Sequence, residues 1–441
     1  MPKRFMMQTN IGLLGYGTVG EGVARIISLE ETLLSQKIGW PLKLSKALVR
    51  DLTAPRGFPP PPGLLTTNPF DVVGNPDIQV VVEVMGGIEP ARTLILKALE
   101  FGQHVVTANK ALLATCGKEI FEKAAQTKRE VFFEAAVAGA IPVIRTLKEG
   151  LAANRIQSVF GILNGTTNYI LTSMSQHATS FDTALAEAKS LGYAEADPTM
   201  DIEGEDAAHK LVLLTALAYG VLPSLKDIHI EGITKLEPLD FNFAAALGYV
   251  IKLLAKAALN PEDGRLEVSL NPAMLPKEHL LSGVTGVMNA VMVRGHASGD
   301  IFLSGAGAGM LPTASAVVGD IIEVARLEQT GAQSIRPSLG WHSLKGDAVK
   351  PAGDIRSSYY LRFSVEDRPG VLSSLAGAFA KHNISIAQVI QKGVDPLTNT
   401  VYLVILTHSA PERDLSHALE LAGTLGFFTA KPQLIRVENL N

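Results

Sequence analysis

The sequence predicts an α/β protein in three parts: a doubly wound parallel sheet, an α+β middle segment, and a ferredoxin-like βαββαβ unit at the C-terminus. Three observations carry this. Up to about residue 133, short apolar runs bounded by glycine alternate with amphipathic helical stretches, the order of parallel βαβ units. The alternation then stops and long helical runs take over. From residue 356 onward it returns as strand, helix, strand, strand, helix, strand, the ferredoxin-like order.

Taken in order, residues 10–15 (NIGLLG) read as a buried strand and residues 19–34 as an apolar-periodic helix,. A second strand is expected over 42–49, followed by a proline-rich loop at 55–62. Strands at 78–83 and 104–107 bracket a helix at 91–100, and a helix at 111–128 leads to a strand at 131–133. The middle segment shows a strand over 156–163 and helices over 181–191 and 205–219. A glycine-dense run at 305–309 (GAGAG) precedes a helix over 313–325. The C-terminal unit is read as strand 359–365, helix 371–382, strands 384–390 and 401–406, helix 414–425 and strand 434–437, after a linker at 340–356 rich in glycine and proline,.

A length of 441 residues is too great for a single core,. Hydrophobic residues make up 47% and charged residues 19%, which excludes a disordered chain,. A net charge of −4 offers no attraction to nucleic acid or to a membrane surface,. The longest apolar stretch, 211–222, contains Thr215 and falls short of the roughly 18 residues a membrane span needs. Residues 1–10 hold Lys3 and Arg4 with no apolar run behind them, so no secretory leader is expected. Cys116 is the single cysteine, which excludes an intrachain disulfide or a cysteine-built metal site. The expected compartment is the cytoplasm.

Gly15-Tyr16-Gly17-Thr18-Val19-Gly20 fits G-x-G-x-x-G between a predicted strand and a predicted helix, the context that makes this motif specific for a dinucleotide. Gly15 permits the tight turn, Gly17 lets backbone approach a pyrophosphate, and Gly20 allows close helix–strand packing. Thr18 and Val19 open the helix whose free N–H groups and dipole suit phosphate. The N-terminal part is therefore a Rossmann-type nucleotide domain. Its second strand ends in Arg50-Asp51. Arg50 as a ligand of the extra phosphate favours NADP(H), while Asp51 beside it leaves NAD(H) open.

Three further stretches are long and compositionally unusual: Thr107-Ala108-Asn109-Lys110, the run 133–142 (FEAAVAGAIP) and the run 192–211 (GYAEADPTMDIEGEDAAHKL). Together they resemble the homoserine dehydrogenase family over nearly the whole chain. The resemblance implies reversible NAD(P)H-dependent reduction of the small-molecule substrate L-aspartate 4-semialdehyde to L-homoserine, in threonine, methionine and isoleucine biosynthesis. It implies that Lys210 is the proton donor, that Asp206 and Glu195 hold the substrate's amino group, and that Lys110 lies between nicotinamide and substrate. The chemistry agrees. Reducing a carbonyl needs an acid and a cation near the developing alkoxide, and an ammonium needs acceptors, which carboxylates supply. Asp206 and Lys210 are four residues apart, on one helical face. The helix that follows them is apolar nearly all round, so the pair faces a cleft rather than bulk water. Sequence does not divide the acid role between Lys110 and Lys210.

The resemblance also implies a monovalent cation, Na⁺ or K⁺, held mainly by carbonyls of Val137, Gly139 and Ile141 with an oxygen of Glu134. Small residues let backbone curl round an ion, and oxygen suits a hard cation. Gly305 belongs to the run that resembles the family's return to the nucleotide domain, where backbone approaches the cofactor. Asn164-Gly165-Thr166-Thr167 matches the family with no role assigned. Glu366-Asp367-Arg368-Pro369-Gly370-Val371-Leu372, with Asn383-Ile384-Ser385-Ile386 after the helix, resembles an ACT domain. Asp367, Gly370 and Asn383 stand where such a module holds an amino acid, here expected to be L-threonine as feedback inhibitor. The same residues also read as a helix-initiating turn and a left-handed helix end. The expected parts are a nucleotide domain over 1–133 and 305–345, a catalytic and dimerisation domain over 134–304, and an ACT domain over 356–441. The expected assembly is a homodimer or homotetramer.

Three alternatives are weaker. A cysteine-dependent aldehyde dehydrogenase needs an activated thiolate and a base, whereas Cys116 falls inside a predicted helix with no histidine beside it. A fused aspartokinase is not expected, since the first strand begins near residue 10. A non-catalytic NADP and amino-acid sensor would not need Lys110, Asp206 and Lys210 together.

Overall fold

The computed structural model describes residues 8–330, 337–346, 348–395 and 400–440, so most of the stretch read for a leader lies outside the described residues. The chain falls into two compact units. One comprises Met1–Gly165, Asp206–Leu225 and Val287–Ala348, and the other Thr166–Glu205, Lys226–Gly286 and Val349–Asn441.

Strand β1 (Thr9–Leu14) feeds helix α1 (Thr18–Leu29) across the glycine turn. Where one helix over 19–34 is predicted, the chain bends at Glu30 and continues as α2 (Glu31–Ile38). The bend carries Leu34 and Ile38 into the core, an advantage that a straight amphipathic pattern does not reveal. Then come β2 (Leu42–Leu48), a two-residue β3 (Leu65–Thr66) that the proline-rich sequence conceals, β4 (Val80–Glu83), α3 (Ala91–Glu100), β5 (His104–Thr107), α4 (Lys110–Thr127) and β6 (Val131–Phe132). The middle of the chain forms a short α5 (Val143–Arg145) running into a π turn, then β7 (Ile156–Ile162), α6 (Gly165–His177), α7 (Phe181–Ser190), α8 (Thr199–Ile202) and α9 (Glu205–Tyr219). After them come β8 (His229–Ile230), α10 (Pro238–Ala246), β9 (Tyr249–Leu259), β10 (Leu266–Pro276), β11 (Met288–Gly295), β12 (Gly299–Ala306) and α11 (Met310–Thr330). The C-terminal set is β13 (Arg356–Glu366), α12 (Val371–Lys381), β14 (Ile386–Asp395), β15 (Thr400–Thr407), β16 (Ala410–Pro411), α13 (Glu412–Gly423) and β17 (Gln433–Val437).

In the first unit, six parallel strands lie in the order β3-β2-β1-β4-β5-β6. This is the doubly wound order whose reversal lies between β1 and β4, the place where open parallel sheets bind ligands. Helix α11 packs on α1 because residue 22 is glycine: a Cβ there would lie 2.9 Å from both the Ala314 Cβ and the Met310 carbonyl. The same unit holds the antiparallel set β12-β11-β7.

In the second unit the strands run β9-β10-β17-β13-β15-β14. Its last four are the ferredoxin-like βαββαβ sheet, with α12 and α13 over the core of Tyr359, Leu361, Phe363 and Val365. Strands β9 to β12 were not read from the sequence. Residues 249–259 (YVIKLLAKAAL) are rich in Ala, Leu and Lys, residues of high helix propensity. Pairing with β10 over eleven positions overrides that preference,.

Candidate active site

The glycine turn is built as its sequence requires. Gly15 has φ +110°, a conformation that side chains resist, and its Cα faces the Val84 carbonyl,. A Cβ on Gly20 would lie 2.4 Å from the Gly15 carbonyl, so α1 can start this close to β1 only without one. A Cβ on Gly17 would meet nothing within 4 Å. That open space lies before the N-terminus of α1, where Gly17 is the N-cap and supplies no side chain to cover the first N–H groups. A diphosphate fits such a cradle, and the exposed Thr18 borders it,.

The loop after β2 is shaped by residues that sequence reasoning passed over. The Asp51 carboxylate accepts from the Thr53 N–H (2.8 Å) and hydroxyl (2.7 Å), which holds it below the usual carboxylate range. Arg56 donates to the carbonyls of Asp51, Leu52 and Ala54. Glu21, in the first turn of α1, accepts from the N–H groups of Gly57 and Phe58 and ties the proline-rich loop to the glycine turn. Arg50 is exposed at the end of β2.

Past the end of β5 the chain enters α4 through Asn109, whose side-chain oxygen accepts the Leu112 N–H at 3.1 Å as an N-cap,. Asn109 is held by Thr107, whose hydroxyl donates to Glu83 at 2.6 Å. Glu83 is wholly buried, and its other oxygen accepts from the N–H groups of Met85 and Gly86. Burial pushes its carboxyl above the ordinary range against these hydrogen bonds. The charged residue ending the apolar run IQVVVE was the available signal for this network.

This network fixes Lys110 at the start of α4, and Lys110 meets the start of α9. Its Nζ lies 3.1 Å from Asp206 Oδ1, while Lys210 Nζ lies 2.6 Å from Asp206 Oδ2 and 2.7 Å from the Leu163 carbonyl. Asn164 Nδ2 donates to the same Oδ2 at 2.8 Å. One carboxylate thus bridges two ammonium groups and leaves a net positive charge. Burial alone would raise the Asp206 pKa, but Lys210 and Lys110 together outweigh it and hold the carboxyl far below its usual range. Beyond Asp206 and Lys210, α9 is buried on all sides to Tyr219, as its apolar run predicts. The Lys110 side chain is 35% exposed against 10% for Lys210, so the first opens towards solvent and the second sits within.

The segment 134–141 curls through left-handed residues Ala138 (φ 55°) and Gly139 (φ 56°). A Cβ on Gly139 would lie 2.5 Å from the Gly307 carbonyl, so backbone meets backbone here. Both Glu134 carboxylate oxygens accept backbone N–H groups, from Ile144 (2.8 Å) and Arg145 (2.9 Å), at the start of α5. The Glu134 N–H donates to Asp320, whose complete burial pushes its carboxyl up to about 8. Val137 and Ile141 are buried in the same curl. Gly305 lies near the end of β12, and a Cβ there would stand 3.2 Å from Ile141 Cγ1.

Glu195 belongs to the second unit, where it is exposed between α7 and α8. In that unit a cavity of about 240 Å³ is lined by Asp367, Gly370, Leu372, Gln391 and Leu403, among others. Gly370 is the left-handed N-cap of α12 (φ 93°). Asn383 adopts φ 57° beyond the far end of that helix, and the described lining does not include it.

A doubly wound sheet with a dinucleotide cradle at its reversal point, and two ammonium groups gathered on one carboxylate beyond a strand end, has the parts of a nicotinamide-dependent oxidoreductase acting on a carbonyl or hydroxyl group. The profile of the homoserine dehydrogenase NAD-binding domain matches residues 15–134, that of homoserine dehydrogenase residues 142–322, and that of the ACT domain residues 359–425. Homoserine dehydrogenase from Neisseria gonorrhoeae is 43% identical over 440 residues, covering 99% of this chain and 100% of the relative. The crystal structure of a homoserine dehydrogenase from Thiobacillus denitrificans is 42% identical, covers 98% of this chain and 99% of that one, and superposes with a TM-score of 0.92. A hyperthermophilic archaeal homoserine dehydrogenase mutant in complex with NADPH is 28% identical, with a TM-score of 0.62, over 75% of this chain and 100% of that one. The chain belongs to the homoserine dehydrogenase family, with an NAD(P)-binding domain, a catalytic domain and a C-terminal ACT domain. Among the described residues no helix is long and apolar enough to cross a membrane.

Proposed function

We propose that this dehydrogenase reduces L-aspartate 4-semialdehyde to L-homoserine with NADP(H) as preferred cofactor, Lys210 donating the proton to the carbonyl oxygen. The Lys110–Asp206–Lys210 bridge carries the reading. The bound dihydronicotinamide supplies hydride to the aldehyde carbon. Lys210, held by Asp206 and the Leu163 carbonyl, passes a proton to the oxygen on which negative charge develops. Lys110 adds positive charge at the same place and, being the more exposed of the two, leads the replacement proton in from water. Asp206 receives the substrate's ammonium group. The preference for NADP(H) draws support from Asp51, whose carboxylate is engaged by Thr53, while Arg50 is exposed beside it, and from the NADPH complex of the archaeal relative. Oxidation of NADPH and NADH with L-aspartate 4-semialdehyde tests both points. The expected result is turnover, with kcat/KM for NADPH at least ten times that for NADH and a reduced ratio in Arg50→Ala. Absence of turnover with either cofactor removes the reading.

The same proposal extends to a monovalent cation, Na⁺ or K⁺, held by carbonyls of Val137, Gly139 and Ile141 with Glu134 beside them. It extends also to feedback inhibition by L-threonine at the cavity of Asp367 and Gly370, in a cytoplasmic homodimer or homotetramer serving threonine, methionine and isoleucine biosynthesis. The functional division would be a nucleotide part over 1–133 and 305–345, a catalytic part over 134–304 and a regulatory part over 356–441. Support for the regulatory site is a cavity at a helix N-terminus, where free N–H groups suit a carboxylate,. A threonine titration should lower the rate at millimolar concentration, and Gly370→Val should abolish that response while leaving the uninhibited rate intact.

A further inference from the structure

We propose that Asn164 is a positioning residue for the reduction: its amide, together with Lys210, occupies one oxygen of Asp206 and so reserves the other, Oδ1, for the substrate's ammonium group. The inference rests on the proposed reduction of L-aspartate 4-semialdehyde, and it gives a role to the first residue of the Asn164-Gly165-Thr166-Thr167 run.

A carboxylate oxygen offers two lone pairs. Oδ2 of Asp206 uses both, accepting from Lys210 Nζ at 2.6 Å and from Asn164 Nδ2 at 2.8 Å. Oδ1 faces Lys110 at the longer distance of 3.1 Å. The two sides of the carboxylate also differ in access. Lys210 is buried on the Oδ2 side and is held a second time by the Leu163 carbonyl at 2.7 Å, whereas Lys110 on the Oδ1 side is the more exposed of the two. A ligand therefore arrives from the Lys110 side, and Oδ1 is the oxygen it meets.

Asn164 is buried just beyond the end of β7, whose pairing with β11 runs as far as Ile162. The next residue fixes the turn: a Cβ on Gly165 would stand 2.8 Å from the Val287 carbonyl, so the chain passes against that backbone. Two consecutive residues then hold the two members of the pair, since the Leu163 carbonyl takes Lys210 and the Asn164 amide takes Asp206. The nitrogen of the amide is the atom that faces Asp206, because an ionised carboxylate only accepts. A neutral donor is what this place requires. A further cation here would repel the substrate's ammonium, and an acceptor would repel the carboxylate. Asn164 fixes the rotation of the carboxylate without changing the charge it presents.

The test compares two aldehydes with NADPH on the same preparation: L-aspartate 4-semialdehyde, and succinate semialdehyde, which has the same chain and carboxylate but no amino group. The wild type should favour the amino-bearing aldehyde in kcat/KM by about a hundredfold or more, as a site built around a polar group does. In Asn164→Ala the carboxylate is free to turn, and that preference should fall about tenfold, the loss of one charge-assisted hydrogen bond. The fall should come through a higher KM for L-aspartate 4-semialdehyde, with kcat/KM for succinate semialdehyde held within about twofold. Asn164→Asp, which places a repelling acceptor in the same space, should lower the preference further. The preference is a ratio, so any loss of folded enzyme cancels from it. If the alanine variant does not fold, Asn164→Ser, whose hydroxyl is too short to reach Asp206, is read by the same ratio. Variants that lose activity on both aldehydes alike and keep the wild-type preference overturn the proposal and leave the reduction standing. A wild type that does not distinguish the two aldehydes removes the docking of ammonium on Asp206, and this inference with it. Absence of turnover with L-aspartate 4-semialdehyde removes the proposed reduction itself.

Discussion

Replacing Asp206 with asparagine keeps the shape of the side chain and removes the charge that holds two lysines. In the native arrangement Oδ2 accepts from Lys210 at 2.6 Å and from Asn164 at 2.8 Å, and Oδ1 faces Lys110 at 3.1 Å. At an effective dielectric of about 20, a unit-charge pair some 4 Å apart is worth about 4 kcal/mol, and breaking one side of a buried pair costs about 3–5 kcal/mol. The Lys110 share is discounted because its side chain is 35% exposed,. The expected loss in Asp206→Asn is therefore about 3 kcal/mol, nearly all from the stranded Lys210 ammonium. Removing that ammonium as well, in Asp206→Asn/Lys210→Met, should recover about 2 kcal/mol of it, a coupling that two independent sites would not show. In a unit of this size each kcal/mol moves the melting midpoint by about 2–4 °C, so scanning calorimetry of the wild type, both single variants and the double variant resolves the cycle. The refuting result is additivity. If the double variant is as destabilised as the sum of the singles, charge pairing does not hold this cluster together. The same cycle carries a pH signature. The folded-state pKa of Asp206 lies below its unfolded value, so its stabilisation is present above about pH 4 and is lost as pH falls through the folded value,. Asp206→Asn should flatten that acid limb.

Three other outcomes follow from the geometry. Lys210→Met should lower kcat by about 10²–10⁴, while Lys110→Met, acting through a more exposed ammonium, should lower it by only about 10- to 100-fold; steady-state kinetics with NADPH that rank them the other way would move the proton donor to Lys110. Gly17→Val should leave the melting midpoint unchanged, because its side chain enters open space, yet weaken NADPH binding at least tenfold by fluorescence titration. Gly20→Ala should instead destabilise by about 1–3 kcal/mol, since its Cβ would lie 2.4 Å from a backbone carbonyl,. Finally, Lys252 is 2% exposed in β9, donates to the Asn168 side chain and the Val284 carbonyl, and is pulled down to about 8 by burial. With the unfolded value near 10.4, the unfolded chain binds more protons between the two. The wild type should therefore gain stability from about pH 8 to about pH 10 relative to Lys252→Met, and parallel melting curves across that range would refute this.

Much of the candidate site was legible because its information is local. A glycine turn between a strand and a helix specifies the open cradle before α1, and the spacing of Asp206 and Lys210 places them on one face of a helix whose apolar continuation buries it. Asn383 was legible in the same way, as a left-handed helix end. What was not legible depends on residues far apart in the chain. That Lys110 and Lys210 share Asp206, one on each oxygen, requires α4 and α9 to meet, and no pattern within either helix states it. The buried Glu83 that orients Asn109 likewise acts only once β4 and β5 lie side by side.

The sequence by itself determined the doubly wound sheet, the ferredoxin-like unit and the residue types of the candidate site, since periodicity, turn chemistry and capping act over a few residues. Tertiary structure alone decided the rest. It turned the helix-prone residues 249–259 into a strand by pairing them with β10. It bent the chain at Glu30 to bury Leu34 and Ile38. It set the Glu134 carboxylate on the N–H groups of Ile144 and Arg145, and it brought Asn164 against Asp206. In each case the deciding term is burial or hydrogen bonding between distant segments, which exists only after the chain has closed on itself.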